Sequence, residues 1–279
     1  MQQTVLITGA NGGLGQALVA AAYEAGHRVV ALVRDSDAAA ALASSLPAGQ
    51  LCCVGVQDLA HPKQLAACAE SLGLDHIDVL INNAGTINPG PLEQVSLADA
   101  EVVFAVNYFS PLALIQAVLP GMRRRRSGKI LNVSSLSAHA GLVTDGVYAA
   151  SKAALERSAE SLRSEVLPLG ISVTNIVLGR INTTFGQTSA AITDSAYRPL
   201  LTYLAAEPAN EGDDPAQIAA AIVAIIKERE PPLTVGVGAQ ASEVLEQLQG
   251  LSPAARSAWL EEISAAGWWR AHKKPGQDD

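Results

Sequence analysis

The twelve residues Thr4–Gly15, T-V-L-I-T-G-A-N-G-G-L-G, constrain the fold more than any other stretch. Thr4–Thr8 is a short β-branched run with no polar alternation, the pattern of a strand buried on both faces. It breaks into Gly9, Asn11, Gly12, Gly13, Leu14 and Gly15, and a helical pattern then runs from Gln16 to Ala25. Glycines permit a tight turn and let backbone N–H groups approach a phosphate at a helix N-terminus, where the dipole favours anions. Gly-rich turns also serve simply as turns, so the placement between a buried strand and a helix is what points to a dinucleotide site. The spacing is T-G-x-x-x-G-x-G, not G-x-G-x-x-G.

Further strand-like runs follow at Arg28–Val33, from Leu51, at Ile77–Ile81, in K-I-L-N-V-S, at Ile171–Val177 and at Leu233–Val237, with helical patterns between them. Strands alternating with helices imply a parallel, doubly wound α/β sheet. The chain has 279 residues, 49% of them hydrophobic, enough for one sizeable core. We expect a catalytic unit over 1–238 and a helical extension over 239–279. That extension reads as two short amphipathic helices followed by W-W-R-A-H-K-K, with Trp268 and Trp269 packing on the body, on a partner subunit or on a membrane surface. Its last residues, P-G-Q-D-D, have the composition of a disordered end.

The strand ends carry the candidate ligand groups. Arg34 follows the second strand, where a carboxylate would bind a free ribose 2′-hydroxyl and an arginine would pair with a 2′-phosphate. This favours NADP(H) over NAD(H), although Asp35 or Ser36 can also cap the next helix. Asp58, beside Leu59, could accept from an adenine amine or cap a helix before His61-Pro62. Asn82-Asn83-Ala84-Gly85 ends the fourth strand, in the crevice position of such sheets, and would equally suit an Asn-rich turn. A long helical pattern from Leu97 to about Met122 is interrupted by Asn107 and Pro111. Asn is unfavourable inside a helix, so Asn107 either kinks it or has a task for its side chain or freed carbonyl. Residues 184–214 are mixed and long enough for a lid or binding loop.

The chemistry is concentrated in Ser135–Lys152. Tyr148 and Lys152 are four residues apart at the start of a helical pattern, so their side chains share a face. A neighbouring cation lowers a phenol from its usual ~10 toward the range useful for acid–base work. Ser135, thirteen positions before Tyr148 at the end of an apolar strand, could hydrogen-bond the oxygen that Tyr148 protonates. The competing reading is an ordinary amphipathic helix with a surface Tyr–Lys pair.

Other classes are disfavoured. A net charge of −8 and a pI near 5.1 argue against nucleic acid. The basic run Arg123–Arg126 reads as a solvated helix end. Cys52, Cys53 and Cys68 make no disulfide framework and no C-x-x-C, which suits a reducing cytoplasm. A strand beginning by Thr4 leaves no room for a signal peptide, and the longest apolar run, Ile218–Ile226, is too short for a membrane span. His139 and His272 read as incidental, with no partner at metal-ligand spacing, so no metal is expected.

Four features in one order, T-G-A-N-G-G-L-G at Thr8–Gly15, N-N-A-G at Asn82–Gly85, Asn107, and Ser135 with Tyr148 and Lys152, resemble the short-chain dehydrogenase/reductase family. The likeness covers roughly residues 3–237. It implies a Rossmann-type doubly wound sheet of seven parallel strands, one domain and a homodimer or homotetramer. It further implies that Tyr148 is the proton donor in reduction and the base in oxidation, and that Lys152 binds the nicotinamide ribose and lowers the tyrosine pKa. Ser135 would polarise the carbonyl and Asn107 would hold a relay water. Gly9, Asn11, Gly12, Gly13, Leu14 and Gly15 would line the phosphates, and Arg34 resembles the NADP-preferring members. Asp58 and Leu59 would meet the adenine, and Asn83, Ala84 and Gly85 the ribose. Gly179, Ile181 and Thr183 would meet the nicotinamide carboxamide, Leu178 standing where the family has proline. Ser135, Ser137, Val143, Tyr148, Arg180 and Phe185 would line the substrate pocket. The helix surfaces look similar to the 17β-hydroxysteroid and retinol dehydrogenase branch, which hints at a lipophilic carbonyl or alcohol. A catalytically silent cofactor-binding regulator is the alternative from another class. An epimerase or dehydratase would want a larger C-terminal substrate domain.

Overall fold

The computed structural model describes residues 2–33, 36–44, 51–55, 76–185, 195–206 and 212–272. Among the described residues seven strands form one sheet in the order β3-β2-β1-β4-β5-β6-β7, every neighbouring pair parallel. They are β1 Thr4–Thr8, β2 Arg28–Val33, β3 Leu51–Gly55, β4 Val79–Asn82, β5 Gly128–Val133, β6 Ile171–Leu178 and β7 Thr234–Val237. The strand order reverses between β1 and β4, and such a switch point opens a ligand crevice at the carboxyl ends. The fourth strand starts two residues later than its apolar run, because Asp78 accepts from the Thr4 backbone at 2.9 Å and belongs to the sheet's rim.

Alternation of side chains along each strand feeds two cores. Val5 and Ile7 face one side, under α1 (Gly13–Glu24) and α7 (Pro215–Ile225), where Leu18, Val19, Ile218 and Ile222 are buried. Leu6, Leu32 and Leu80 face the other side, under α4 (Ser110–Arg125) and α5 (Gly146–Val166), against Leu114, Val118, Met122 and Ala159. Register across the middle of the sheet is marked by three buried asparagines. Asn82 donates to Asn132 at 2.9 Å, and Asn132 to Asn175 at 3.3 Å, across strands paired at those same positions.

The pattern from Leu97 is one unbroken helical path. It comprises α3 (Leu97–Phe104), a π turn over Ala105–Phe109 and α4. Asn107 sits in the π turn, so the backbone absorbs the unfavourable residue by widening one turn, and Pro111, four residues on, brings no N–H to the Asn107 carbonyl. Taken whole, Leu97–Arg125 is long and apolar enough to cross a membrane, and its inner face packs on the sheet. Arg125, at its end, donates to the Ile77 carbonyl at 2.6 Å and Arg126 to that of Pro168 at 3.2 Å, so the basic run is tied down at its last two members.

Beyond α2 (Ser36–Ser44) and α6 (Arg198–Ala206), the C-terminal extension holds three helices where the sequence promised two: α8 (Ala239–Gln249), α9 (Pro253–Ile263) and α10 (Ala266–His272). The two tryptophans form the third because they have a surface to cover. Trp268 stacks on Tyr203 of α6 with ring centroids 4.1 Å apart, and Trp269 on Tyr197 at 6.5 Å.

Candidate active site

The first turn is shaped by what a side chain would strike. Gly9 has φ +62°, and a Cβ there would meet the Ala84 Cα at 2.9 Å. A Cβ at Gly15 would fall on the Gly9 carbonyl. Gly12 caps α1 with no side-chain acceptor and no acid in the first turn, so the positive end of the helix faces the crevice uncompensated by protein charge. Such a backbone cradle fits a diphosphate. Asn83 is a brace for this turn: its side-chain amide donates to the Thr8 carbonyl at 2.9 Å, while the Thr8 hydroxyl accepts from the Asn83 and Ala84 amides at 3.0 and 2.9 Å. Thr183 closes the opposite wall, its methyl 2.8 Å from where a Gly13 Cβ would stand. Ile181 pairs with Asp213 as an isolated parallel bridge. Gly179 leaves room for Gln240 of α8, which accepts from the Arg180 amide at 3.2 Å. Arg34, Asp58 and Leu59 lie outside the described residues.

Asn107, Ser135, Tyr148 and Lys152 converge on the same crevice. A Cβ at Gly85 would stand 3.5 Å from Lys152 Nζ and 3.6 Å from Asn107 Oδ1. Ser135, just beyond β5, faces the Tyr148 hydroxyl, and its own hydroxyl acts to lower the phenol's pKa. Lys152 is buried, donates to the Val133 carbonyl at 2.8 Å and lies 5.8 Å from the Tyr148 ring centroid. Asn107 is fully buried, with its side chain committed three ways. Oδ1 accepts from the Thr86 amide at 2.8 Å, and Nδ2 donates to the Thr86 carbonyl and the Ser151 hydroxyl, each at 2.9 Å.

One electrostatic expectation is reversed. Burial pushes the Tyr148 phenol above its ordinary 10.0, the neighbouring Ser135 hydroxyl opposes that, and Asp145 adds to it. Lys152 does not overcome this because it is itself desolvated, which pulls it down to about 8. The protein alone therefore holds the Tyr148 phenol in its protonated form.

Of the proposed pocket residues, Phe185 lies beside Tyr148, its ring centroid 6.0 Å away, and is 49% exposed at the mouth. Ser137 is occupied: its hydroxyl donates to Asp145 at 2.6 Å and its amide to Ser135 Oγ at 3.1 Å. Val143 is half-buried and Arg180 exposed. Three residues escaped the sequence reading. Asp145 stands at the N-cap position of α5 near Tyr148, its side chain bonded to Ser137 and not to the helix, and burial raises its carboxyl. Glu156 is buried one turn beyond Lys152. His139, read as incidental, has Nε2 3.0 Å from Glu156 Oε2 and a carbonyl that accepts from Arg256 of α9. The i+4 spacing from Lys152 to Glu156 was the available signal. Among the described residues no cluster of His, Cys, Asp and Glu could hold a metal ion.

The family model described as short chain dehydrogenase matches residues 3–192. Retinol dehydrogenase 8 of Bos taurus is 38% identical over 251 residues, covering 83% of this chain and 80% of that protein, which supports the branch the sequence resembles. A short-chain dehydrogenase from Streptomyces avermitilis superposes with a TM-score of 0.80 at 29% identity, covering 99% of this chain and 98% of that one. Another from Burkholderia cenocepacia, solved in complex with NADP, gives 0.74 at 29% identity, covering 93% and 99% respectively.

Proposed function

The chain belongs to the short-chain dehydrogenase family, and from that premise we propose that it is an NADP(H)-dependent oxidoreductase interconverting a ketone or aldehyde with its alcohol on a lipophilic substrate. One observation carries the reading: the Tyr148 hydroxyl, faced by Ser135 and flanked by the buried Lys152, lies in the crevice that the glycine turn opens.

A bound nicotinamide would supply or accept the hydride. Gly12, Gly13, Leu14 and Gly15 would hold its diphosphate through backbone amides at the α1 terminus. Thr183 would border it on the far side, and Lys152 would reach its ribose from below Gly85. Ser135 orients the substrate oxygen, and Tyr148 gives that oxygen its proton in reduction and takes it back in oxidation. With the Asn107 side chain committed to Thr86 and Ser151, its backbone carbonyl in the π turn is the group left to hold a relay water.

NADP(H) is favoured by Arg34 after the second strand and by the Burkholderia neighbour, whose complex holds NADP. A lipophilic substrate is favoured by the likeness to retinol dehydrogenase 8, by the exposed Phe185 ring beside Tyr148, and by the absence of charge from Ser135 to Thr144 apart from His139. The test is a panel of lipophilic ketones, aldehydes and quinones run with NADPH and NADH side by side. Turnover of apolar carbonyls with NADPH in preference to NADH supports the reading. Turnover confined to charged substrates, or to NADH, contradicts it.

A further inference from the structure

The helix face that presents Tyr148 and Lys152 continues to Glu156, each residue four after the last, so the three form one stripe. Glu156 is 2% exposed and Lys152 3%. An isolated carboxylate or ammonium out of water is costly enough to neutralise itself unless another charge and hydrogen bonds compensate it. The carboxylate has both oxygens engaged: Oε1 accepts from the Ser134 hydroxyl at 2.5 Å and Oε2 lies 3.0 Å from His139 Nε2. The Ser134 bond reaches the end of β5, and the His139 approach, close in distance but without hydrogen-bond geometry, reaches the loop behind it, on either side of Ser135. The ammonium has a backbone carbonyl, that of Val133, at 2.8 Å, which satisfies a donor without balancing the charge.

We propose that Glu156 is a positioning residue of the proton-transfer site, whose carboxylate is the counter-charge that keeps the buried Lys152 an ammonium. The assignment rests on Tyr148 and Lys152 being the proton-transfer pair. Titratable groups facing this stripe are Tyr148 on the same helix, Asp145 at its start, and His139 on the loop after β5, with Arg256 of α9 bound to that loop's backbone. Burial pulls Lys152 down to about 8, and Glu156 acts in the opposite direction. Without that opposition burial pulls Lys152 lower still, toward the neutral form at pH 7. A neutral Lys152 could neither assist a phenolate at Tyr148 nor favour the electron-rich form of the relay. The role of Glu156 is therefore to keep a cation present at working pH, and it acts through Lys152 without touching substrate.

The experiment is a heteronuclear NMR titration of the Lys152 side chain in protein carrying isotope-labelled lysine, assigned by its loss in Lys152→Arg. In the wild type the side chain is an ammonium at pH 7. In Glu156→Gln, which keeps the shape and removes the charge, the midpoint drops by about one pH unit or more. Glu156→Asp, which restores the charge, recovers most of that drop. The alkaline limb of kcat/KM moves with the NMR midpoint, which a merely structural role would not produce. Coincident midpoints in wild type and Glu156→Gln overturn the proposal, and so does a neutral Lys152 at pH 7 in the wild type, a result readable even if the variant does not fold. The NMR readout needs no substrate, so its outcome is separable from a failure of Tyr148 as acid and base.

Discussion

The Lys152 ammonium donates to the Val133 carbonyl at 2.8 Å, which ties the cation of α5 to the strand end that delivers Ser135. Helix α5 is thus joined to the β5 terminus twice, through Lys152 to Val133 and through Glu156 to Ser134, on the two sides of the position from which Ser135 faces Tyr148. Several expectations depend on that junction and on the turn it faces.

Asn107→Ala should cost stability as well as activity. The substitution strips three hydrogen bonds and leaves the Thr86 amide and carbonyl and the Ser151 hydroxyl without the amide they now share. Leaving a buried polar group unpaired costs about 1–3 kcal/mol. Chemical denaturation should show a loss of that order, and an unchanged midpoint would mean the π turn does not depend on this side chain.

Gly13→Ala and Gly15→Ala should separate binding from folding. At Gly13 the new methyl meets the Thr183 side chain at 2.8 Å, on the wall of the crevice, so cofactor affinity should fall while the fold persists. At Gly15 it strikes the backbone of the turn itself, so soluble folded protein should be lost. Isothermal titration with NADPH and thermal melts of both variants distinguish the two outcomes.

Alkaline stability should be set by Tyr148 and Lys152 in opposite senses. Between about 8 and 10.5 the unfolded chain keeps a proton that folded Lys152 releases, so this residue's contribution to stability rises with pH. Above 10.0 the unfolded chain loses a phenolic proton that folded Tyr148 retains, so its contribution falls. Urea unfolding from pH 7 to 11 should therefore show a steeper alkaline decline for the wild type than for Tyr148→Phe, and parallel curves would contradict the burial of the phenol.

Trp268→Ala should loosen α6 without disturbing the sheet. An aromatic pair contributes about 0.5–1.5 kcal/mol, and Trp268 stacks on both Tyr203 and His272, the latter at 4.4 Å. Amide exchange over 198–206 should accelerate by roughly threefold to tenfold on that scale, with the amides of β1 and β4 unchanged.

The sheet and the crevice were legible because buried parallel strands advertise themselves as apolar runs, and because the glycine turn, Asn107, Ser135, Tyr148 and Lys152 are each unusual for their local setting. Glu156 was not, since a glutamate in a helical run has the pattern of a solvated face until packing shows which side is covered. His139 was hidden for a related reason: its partner is seventeen residues away, on the next element. The sense of the Tyr148 shift was missed because spacing reveals a neighbouring charge but not the desolvation of both partners. The third C-terminal helix depends on Tyr203 and Tyr197, more than sixty residues upstream of the tryptophans they stack on.

The most direct measurement is single-turnover reduction of a responsive carbonyl by Tyr148→Phe under saturating NADPH, alongside the Kd of that variant for NADPH. The account predicts a fall in the reduction rate of about 10²–10⁴-fold, the usual worth of a positioned acid, with the Kd nearly unchanged. A variant that reduces the carbonyl at the wild-type rate would remove Tyr148 from the chemistry and leave the crevice a binding site alone.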